Sequence, residues 1–199
     1  MVISIEANMN VLILSTSHRT NSSSLKVSKY LEDLFSKKGY TTKIIDFVND
    51  DIPLIGKAEL KPNHLTTFQS DLIGAWENSN LIIVVTPEYN WGLNANVINL
   101  FHQLGNNTFK HLFHNKIFGL VGVSAGRGGK FPAVDLMILI SKLIAFLNQH
   151  SIISPKLLEL HEVPKNLNEN GELISQGNFV IAVNEFVDYT LMIAQKWQF

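Results

Sequence analysis

The sequence predicts an α/β protein with a parallel sheet covered by helices on both faces. Three observations carry that expectation. Five apolar runs alternate with segments of helical spacing along the chain, and strict alternation of this kind implies right-handed crossovers between parallel strands. Four of the runs are short and continuous, as strands buried on both faces of a sheet require. At 199 residues the chain has the length of one α/β domain, and no linker or shift of composition divides it, so residues 1–199 read as a single domain.

Residues 11–14 open the sheet. Leu25, Tyr30, Leu31, Leu34 and Phe35 then recur at helical spacing, and Gly39 stands where a helix C-cap belongs. Residues 41–47 form the second run. The stretch 48–63, with Pro53, Gly56 and Pro62, reads as a loop, and a second helix follows over 65–76. The third strand covers 81–86 and its helix 94–104, while 117–123 and 133–148 give the fourth strand and helix. A fifth strand over 152–160, a loop at 166–171 and a helix over 180–197 complete the pattern. Met9 directly precedes the first strand, so residues 1–8 read as an extension that the fold can spare.

Composition narrows the function. Apolar residues make up 46% of the chain and charged residues 17%, a globular balance that argues against disorder. The apolar runs are far shorter than the roughly 20 residues of a membrane span, so no membrane partner is expected. With 16 basic and 17 acidic residues the net charge is -1, and no basic run could follow a nucleic-acid backbone. Nor is the chain acidic enough for an electron carrier that docks by charge. Small-molecule chemistry remains. There is no cysteine, which excludes thiol catalysis, disulfides and thiolate metal sites, and the histidines lack metal-ligand spacing. Glu6, Asn8 and Asn10 interrupt any apolar leader core, which favours a cytoplasmic protein.

In open parallel sheets ligands sit beyond the carboxyl ends of the strands, near the point where strand order reverses. The loops after strands one, three and four therefore matter most. The first, Ser15-Thr16-Ser17-His18-Arg19-Thr20-Asn21-Ser22-Ser23-Ser24-Leu25, gathers hydroxyls and one Arg before a helix. That chemistry suits a phosphate, and the same residues are also ordinary helix caps. No Walker or dinucleotide glycine pattern is present, so neither ATP nor a Rossmann-bound NAD is supported. The second loop, Thr86-Pro87-Glu88-Tyr89-Asn90-Trp91-Gly92, can offer backbone N–H groups to the edge of a flat heterocycle and wall it with aromatics. The third, Ser124-Ala125-Gly126-Arg127-Gly128-Gly129-Lys130, lets a ligand approach the backbone closely, although its glycines alone could mean only a flexible loop.

Thr86-Pro87-Glu88-Tyr89-Asn90 resembles the TPEYN signature of the NADPH-dependent FMN reductase family, and Thr16-Ser17-His18-Arg19 with Ser22 and Ser24 is similar to that family's first loop. The likeness runs from Met9 to Ser175 and includes the spacing of all three loops. It implies a flavodoxin-like three-layer sandwich with a five-stranded parallel sheet of order 2-1-3-4-5. It also implies FMN, with Ser17, Arg19, Ser22 and Ser24 on the phosphate, Pro87, Glu88, Tyr89, Asn90 and Trp91 around the ring, and Ser124, Gly126, Gly128 and Gly129 on its other edge. Arg127 is a candidate contact for the phosphate of a nicotinamide dinucleotide. The implied reaction is ping-pong: NADPH or NADH reduces the flavin and leaves, and a small-molecule electron acceptor such as a quinone, azo compound, free flavin or metal oxyanion takes the electrons. No catalytic side chain is required, because the cofactor carries the chemistry. The alternative within the same fold is a flavin-binding or redox-sensing protein without turnover. Family likeness further implies a homodimer or homotetramer, assembled through the helices after strands three and four, where Phe101, Leu136, Leu139 and Ile140 lie.

The chain also departs from the pattern. Trp91 stands where the family commonly has Gly, and Thr16 replaces the usual Gly of the first loop. Asn94, Ile98-Asn99 and His102-Gln103 replace Pro, Lys-Asn and Asp-Trp. Trp91 either packs against a partner subunit or occupies part of the acceptor space, and the freedom of Gly92 beside it favours the second. His102 reads as a surface or interface residue.

Overall fold

The computed structural model describes residues 9–197, and the expected extension over 1–8 lies outside them. β1 (Asn10–Ser15) pairs in parallel with β2 (Thr41–Asp46) on one side and β3 (Leu81–Pro87) on the other. β3 pairs with β4 (Ile117–Val123), and these two central strands are buried throughout. β5 (Ile152–Ile153) and β6 (Leu158–Leu160) both lie along the far side of β4, so the order is β2-β1-β3-β4-β5 with β6 also on β4. The fifth run, expected as one strand over 152–160, is thus broken in two. Pro155 lies in the gap and has no N–H to donate to a ladder. Ser154 still donates to the Phe118 carbonyl at 2.8 Å and Ser124 to the Leu160 carbonyl at 2.7 Å, which keeps both pieces in one line.

Because side chains alternate along a strand, each strand feeds two cores. Leu12, Leu14, Ile82 and Val84 pack under α2 (Thr67–Glu77), α3 (Ala95–Leu104) and α4 (Lys130–Phe146) through Trp76, Leu100, Phe101, Leu136 and Ile140. Val11, Ile13, Ile83 and Val121 pack on the opposite face with Val27, Leu31, Val183, Phe186 and Val187. Those come from α1 (Ser23–Lys37) and α6 (Asn178–Trp197). A single-turn helix, α5 (Val163–Asn166), follows β6. Phe101, Leu136 and Ile140 are therefore core residues, and Leu139 packs against the same core. The helix faces left to solvent present Ile98, Ile138 and Phe146 instead.

Local chemistry sets the helix starts. Thr66 and Gln69 form a capping box at α2, and the side chain of Asn94 accepts from Val97 N–H at 3.0 Å to start α3. α4 begins three residues before the expected 133, because Gly129 at φ +103 turns the chain straight into the helix. At the opposite end of the sheet Lys116 is buried and donates to the carbonyls of Trp76 and Glu77 at 3.1 and 3.0 Å and to that of Ser79. It closes the carboxyl end of α2, where carbonyls lack helical partners. Asn99 and Gln103 order the 48–63 loop: Asn99 bonds Ile55 N–H and the Pro53 carbonyl, and Gln103 bonds Leu60 N–H and the carbonyls of Pro53 and Ala58. Gln103, a departure from the family pattern, and Asn99, which keeps the family's Asn, are thus fasteners of that loop.

Candidate functional site

The loops after β1, β3 and β4 meet at the carboxyl edge of the sheet, and a small number of side chains hold them there. Thr16 in the first loop donates to the Val85 carbonyl through its N–H at 3.0 Å and its hydroxyl at 3.2 Å. Asn94, besides capping α3, donates to the Thr16 carbonyl. The Ser17 hydroxyl accepts from Arg19 N–H at 3.3 Å, and that of Ser22 accepts from Leu25 N–H at 3.0 Å as the N-cap of α1. The capping reading is thus realised at Ser22. Arg19 is exposed, and its guanidinium lies 4.6 Å from the ring centre of Tyr89, with the His18 ring edge-on to the same tyrosine at 6.2 Å. At the neighbouring strand end Ser15 donates to Asp46 at 2.9 Å, and burial pushes the Asp46 carboxyl above its ordinary range.

The second loop is a tight reversal. Tyr89 and Gly92 exchange two backbone hydrogen bonds of 3.1 and 3.0 Å around Asn90 at φ +51 and Trp91 at φ +67. Positive φ at both central positions defines a type I′ turn, in which Asn-Gly is the favoured pair. Trp91 occupies the glycine position. Its indole is 73% exposed, so it is not folded between the loops of its own chain, and it stands 6.3 Å from the ring of Phe131 in the first turn of α4. Glu88 also reaches the third loop. Its N–H donates to the Val123 carbonyl at 2.8 Å and its carboxylate accepts from Gly129 N–H at 2.6 Å, tying the second loop to the third.

The third loop is braced on its far side as well, since Gly126 accepts from Glu162 N–H at 2.8 Å. Glycine is favoured at two of its positions: Gly128 has φ +145, and Gly129 has φ +103 with a Cβ there meeting the Gly122 carbonyl at 2.8 Å. Gly126 faces open space. Arg127 is exposed near Glu162, whose carboxyl is held below its usual range mainly by Lys165, bonded to it at 2.6 Å, and more weakly by Arg127.

All three expected loops are therefore brought together, with unequal roles for their residues. Glu88 is committed to a neighbour, whereas four buried hydroxyls have no partner among the described residues, those of Ser24, Thr86 and Tyr89 at the loops and that of Ser28 one turn further into α1. Buried polar groups are almost always paired, so three orphans in or beneath two adjoining loops fit a polar ligand that supplies acceptors there. Flavin phosphate and ring oxygens are acceptors of that kind. Asn94, Asp46 and Phe131 were not singled out as site residues from sequence. Asn94 carried one available signal, as a capping residue directly ahead of an apolar helix.

Sheet order and helix placement define a flavodoxin-like α/β protein with the three loops gathered at the reversal of strand order. Residues 9–154 match the family model described as NADPH-dependent FMN reductase, and the chain belongs to that family. It is accordingly an oxidoreductase of the flavin-reductase type, and membership implies use of a flavin and a nicotinamide cofactor. No curated protein matches the sequence. Among solved structures the chain is similar to FerB, a flavoenzyme NAD(P)H:(acceptor) oxidoreductase from Paracoccus denitrificans, at 16% identity and TM-score 0.67, over 92% of this chain and 98% of that one. The apo form of an NADH:FMN oxidoreductase, EmoB, is similar at 14% identity and TM-score 0.61, over 92% and 89% of the two chains. An azoreductase from Bacillus anthracis aligns at 12% identity and TM-score 0.52, over 94% and 97%. At such identities the likeness is one of fold. No helix among the described residues is long and apolar enough to cross a membrane.

Proposed function

We propose that this chain is a cytoplasmic, single-domain NAD(P)H-dependent reductase that holds FMN in the three loops and passes electrons to a quinone, azo compound, flavin or similar small acceptor. The observation that carries the reading is the set of orphan hydroxyls of Ser24, Thr86 and Tyr89 beside the N-terminus of α1. Ser17, Arg19, Ser22 and Ser24 would hold the phosphate, with the free N–H groups of the first turn of α1. Residues 87–90 would border the ring on one side, and Ser124, Gly126, Gly128 and Gly129 on the other, with Glu88 acting as the strut between the two sides. Arg127 would meet the nicotinamide dinucleotide. Bound FMN supplies hydride acceptance and release. The protein's part is to fix the ring, exclude water from one face and leave the other open.

Arg19 tests the cofactor's placement. Its guanidinium is poised over Tyr89 at the loop and can form charge-assisted bonds to a phosphate, worth about 1.5–3 kcal/mol. Arg19→Ala should weaken FMN by roughly ten- to a hundredfold and leave riboflavin, which has no phosphate, little changed in a fluorescence titration. Equal loss for both ligands refutes the placement. Turnover is tested separately by adding NADPH to the FMN-loaded protein without oxygen. Rapid bleaching of the flavin absorbance is expected, and a persistent yellow colour would leave a flavin-binding protein without reductase activity.

A further inference from the structure

At the edge of the sheet away from the three loops, His114 lies just ahead of β4 and His150 just ahead of β5. Both are exposed, and their ring centres are 5.9 Å apart with planes inclined by 41°. The backbone beneath them is fixed. Asn115 N–H donates to the His150 carbonyl at 2.8 Å and Ile152 N–H to the Lys116 carbonyl at 3.0 Å, which carries the parallel pairing of β4 and β5 back to the two histidines. The Ser151 hydroxyl adds a second tie, accepting from Lys116 N–H at 2.8 Å and donating to the Phe113 carbonyl at 2.6 Å. Only side-chain rotation is left to bring the two imidazoles onto a common ligand. His111, one turn earlier in the chain, is engaged elsewhere, with Glu77 at 3.0 Å.

We propose that His114 and His150 together bind one transition-metal cation of the copper(II), nickel(II) or zinc class, through one nitrogen of each ring, with water in the remaining positions. Metal–nitrogen bonds of about 2.0–2.1 Å place the centres of two rings on one tetrahedral ion roughly 5 Å apart, so rotation of the side chains has to close this pair by only about 1 Å. Imidazole suits these ions, whereas magnesium and calcium take oxygen ligands. No group of three or more His, Cys, Asp or Glu converges on a metal position among the described residues, so the protein supplies two ligands, and affinity follows the intrinsic order with copper(II) first. β5 is the shortest piece of the sheet, at two residues. An ion shared by the residues ahead of β4 and β5 holds that piece to its neighbour, because a ligand that binds the folded chain alone stabilises it. The site is separate from the flavin reading, since it lies at the opposite ends of the strands.

Calorimetric titration of copper(II) chloride into the full chain, prepared without a polyhistidine tag, should show one equivalent bound more tightly than any taken by the chain's other histidines. The paramagnetic resonance spectrum of that equivalent should show coupling to two nitrogens. His114→Ala and His150→Ala should each weaken it about tenfold or more, and His111→Ala should leave it unchanged. Both positions are exposed, so the variants keep the fold, which urea unfolding without metal checks. Zinc chloride should slow hydrogen exchange at the Ile152 and Ile153 amides of the unaltered chain and of neither alanine variant, and magnesium chloride should slow it in none of them. Copper affinity that is unchanged in either alanine variant overturns the proposal, as does a spectrum with a single nitrogen, which would mean adventitious binding to lone surface histidines.

Discussion

At Trp91 the backbone and the side chain have opposing preferences. An L-residue in the left-handed region costs about 1–2 kcal/mol, and the turn that imposes it is the one that Asn-Gly satisfies. Trp91→Gly should therefore raise the stability of the fold by about 1 kcal/mol in urea unfolding. A loss of stability would mean that the indole contributes more through packing than its exposure indicates. Asp46 yields a second prediction at this scale. Its carboxyl is raised by burial, so between the ordinary value of 3.8 and the raised one the folded chain binds more protons than the unfolded chain. Stability due to this group falls as pH rises through that window. Asp46→Asn, which keeps an oxygen to accept from Ser15, should flatten that part of the pH–stability curve, as thermal melts between pH 3.5 and 6 would show.

Among the elements, the sharpest dependence is the contact between the ends of β3 and β4. Glu88 satisfies Gly129 N–H at the start of α4, where the helix dipole favours a negative charge. Glu88→Ala would leave that N–H without its acceptor and should cost about 1.5–3 kcal/mol in urea unfolding, with Glu88→Gln, which retains an acceptor oxygen, costing less. Gly122 lies beneath the same contact: a Cβ there would come within 1.8 Å of the Gly129 carbonyl oxygen, so even Gly122→Ala must displace the third loop. These dependences explain what could be read from the sequence. The apolar runs of β1, β3 and β4 and the caps at Ser22, Thr66 and Asn94 are local signals, and the elements they mark were legible. The braces made by Asn99, Gln103 and Glu88 were not. They join residues 41 to 50 positions apart, and no periodicity marks such a pair. Pro155 was visible as a residue, but apolar neighbours on both sides hid the break it makes.

For the whole molecule, the expected self-association moves to different side chains than those first noted. Phe101, Leu136 and Ile140 face the sheet, while Ile138 and Phe146 on α4 and Ile98 on α3 are open to solvent. A homodimer or homotetramer assembled on these faces should appear as two or four chain masses by light scattering at micromolar concentration, and Ile138→Asp should shift it toward one. A single-chain mass for the unaltered protein would contradict this. The broken fifth strand bears on the same question. A sheet edge is a row of unpaired backbone groups able to recruit a strand from another molecule. One edge here offers pieces of only two and three residues, and the other is β2, with Thr41 and Lys43 exposed along it. Neither is a long, flat, apolar template, and the most aggregation-prone strands, β3 and β4, stay sealed in the middle until the sheet itself opens.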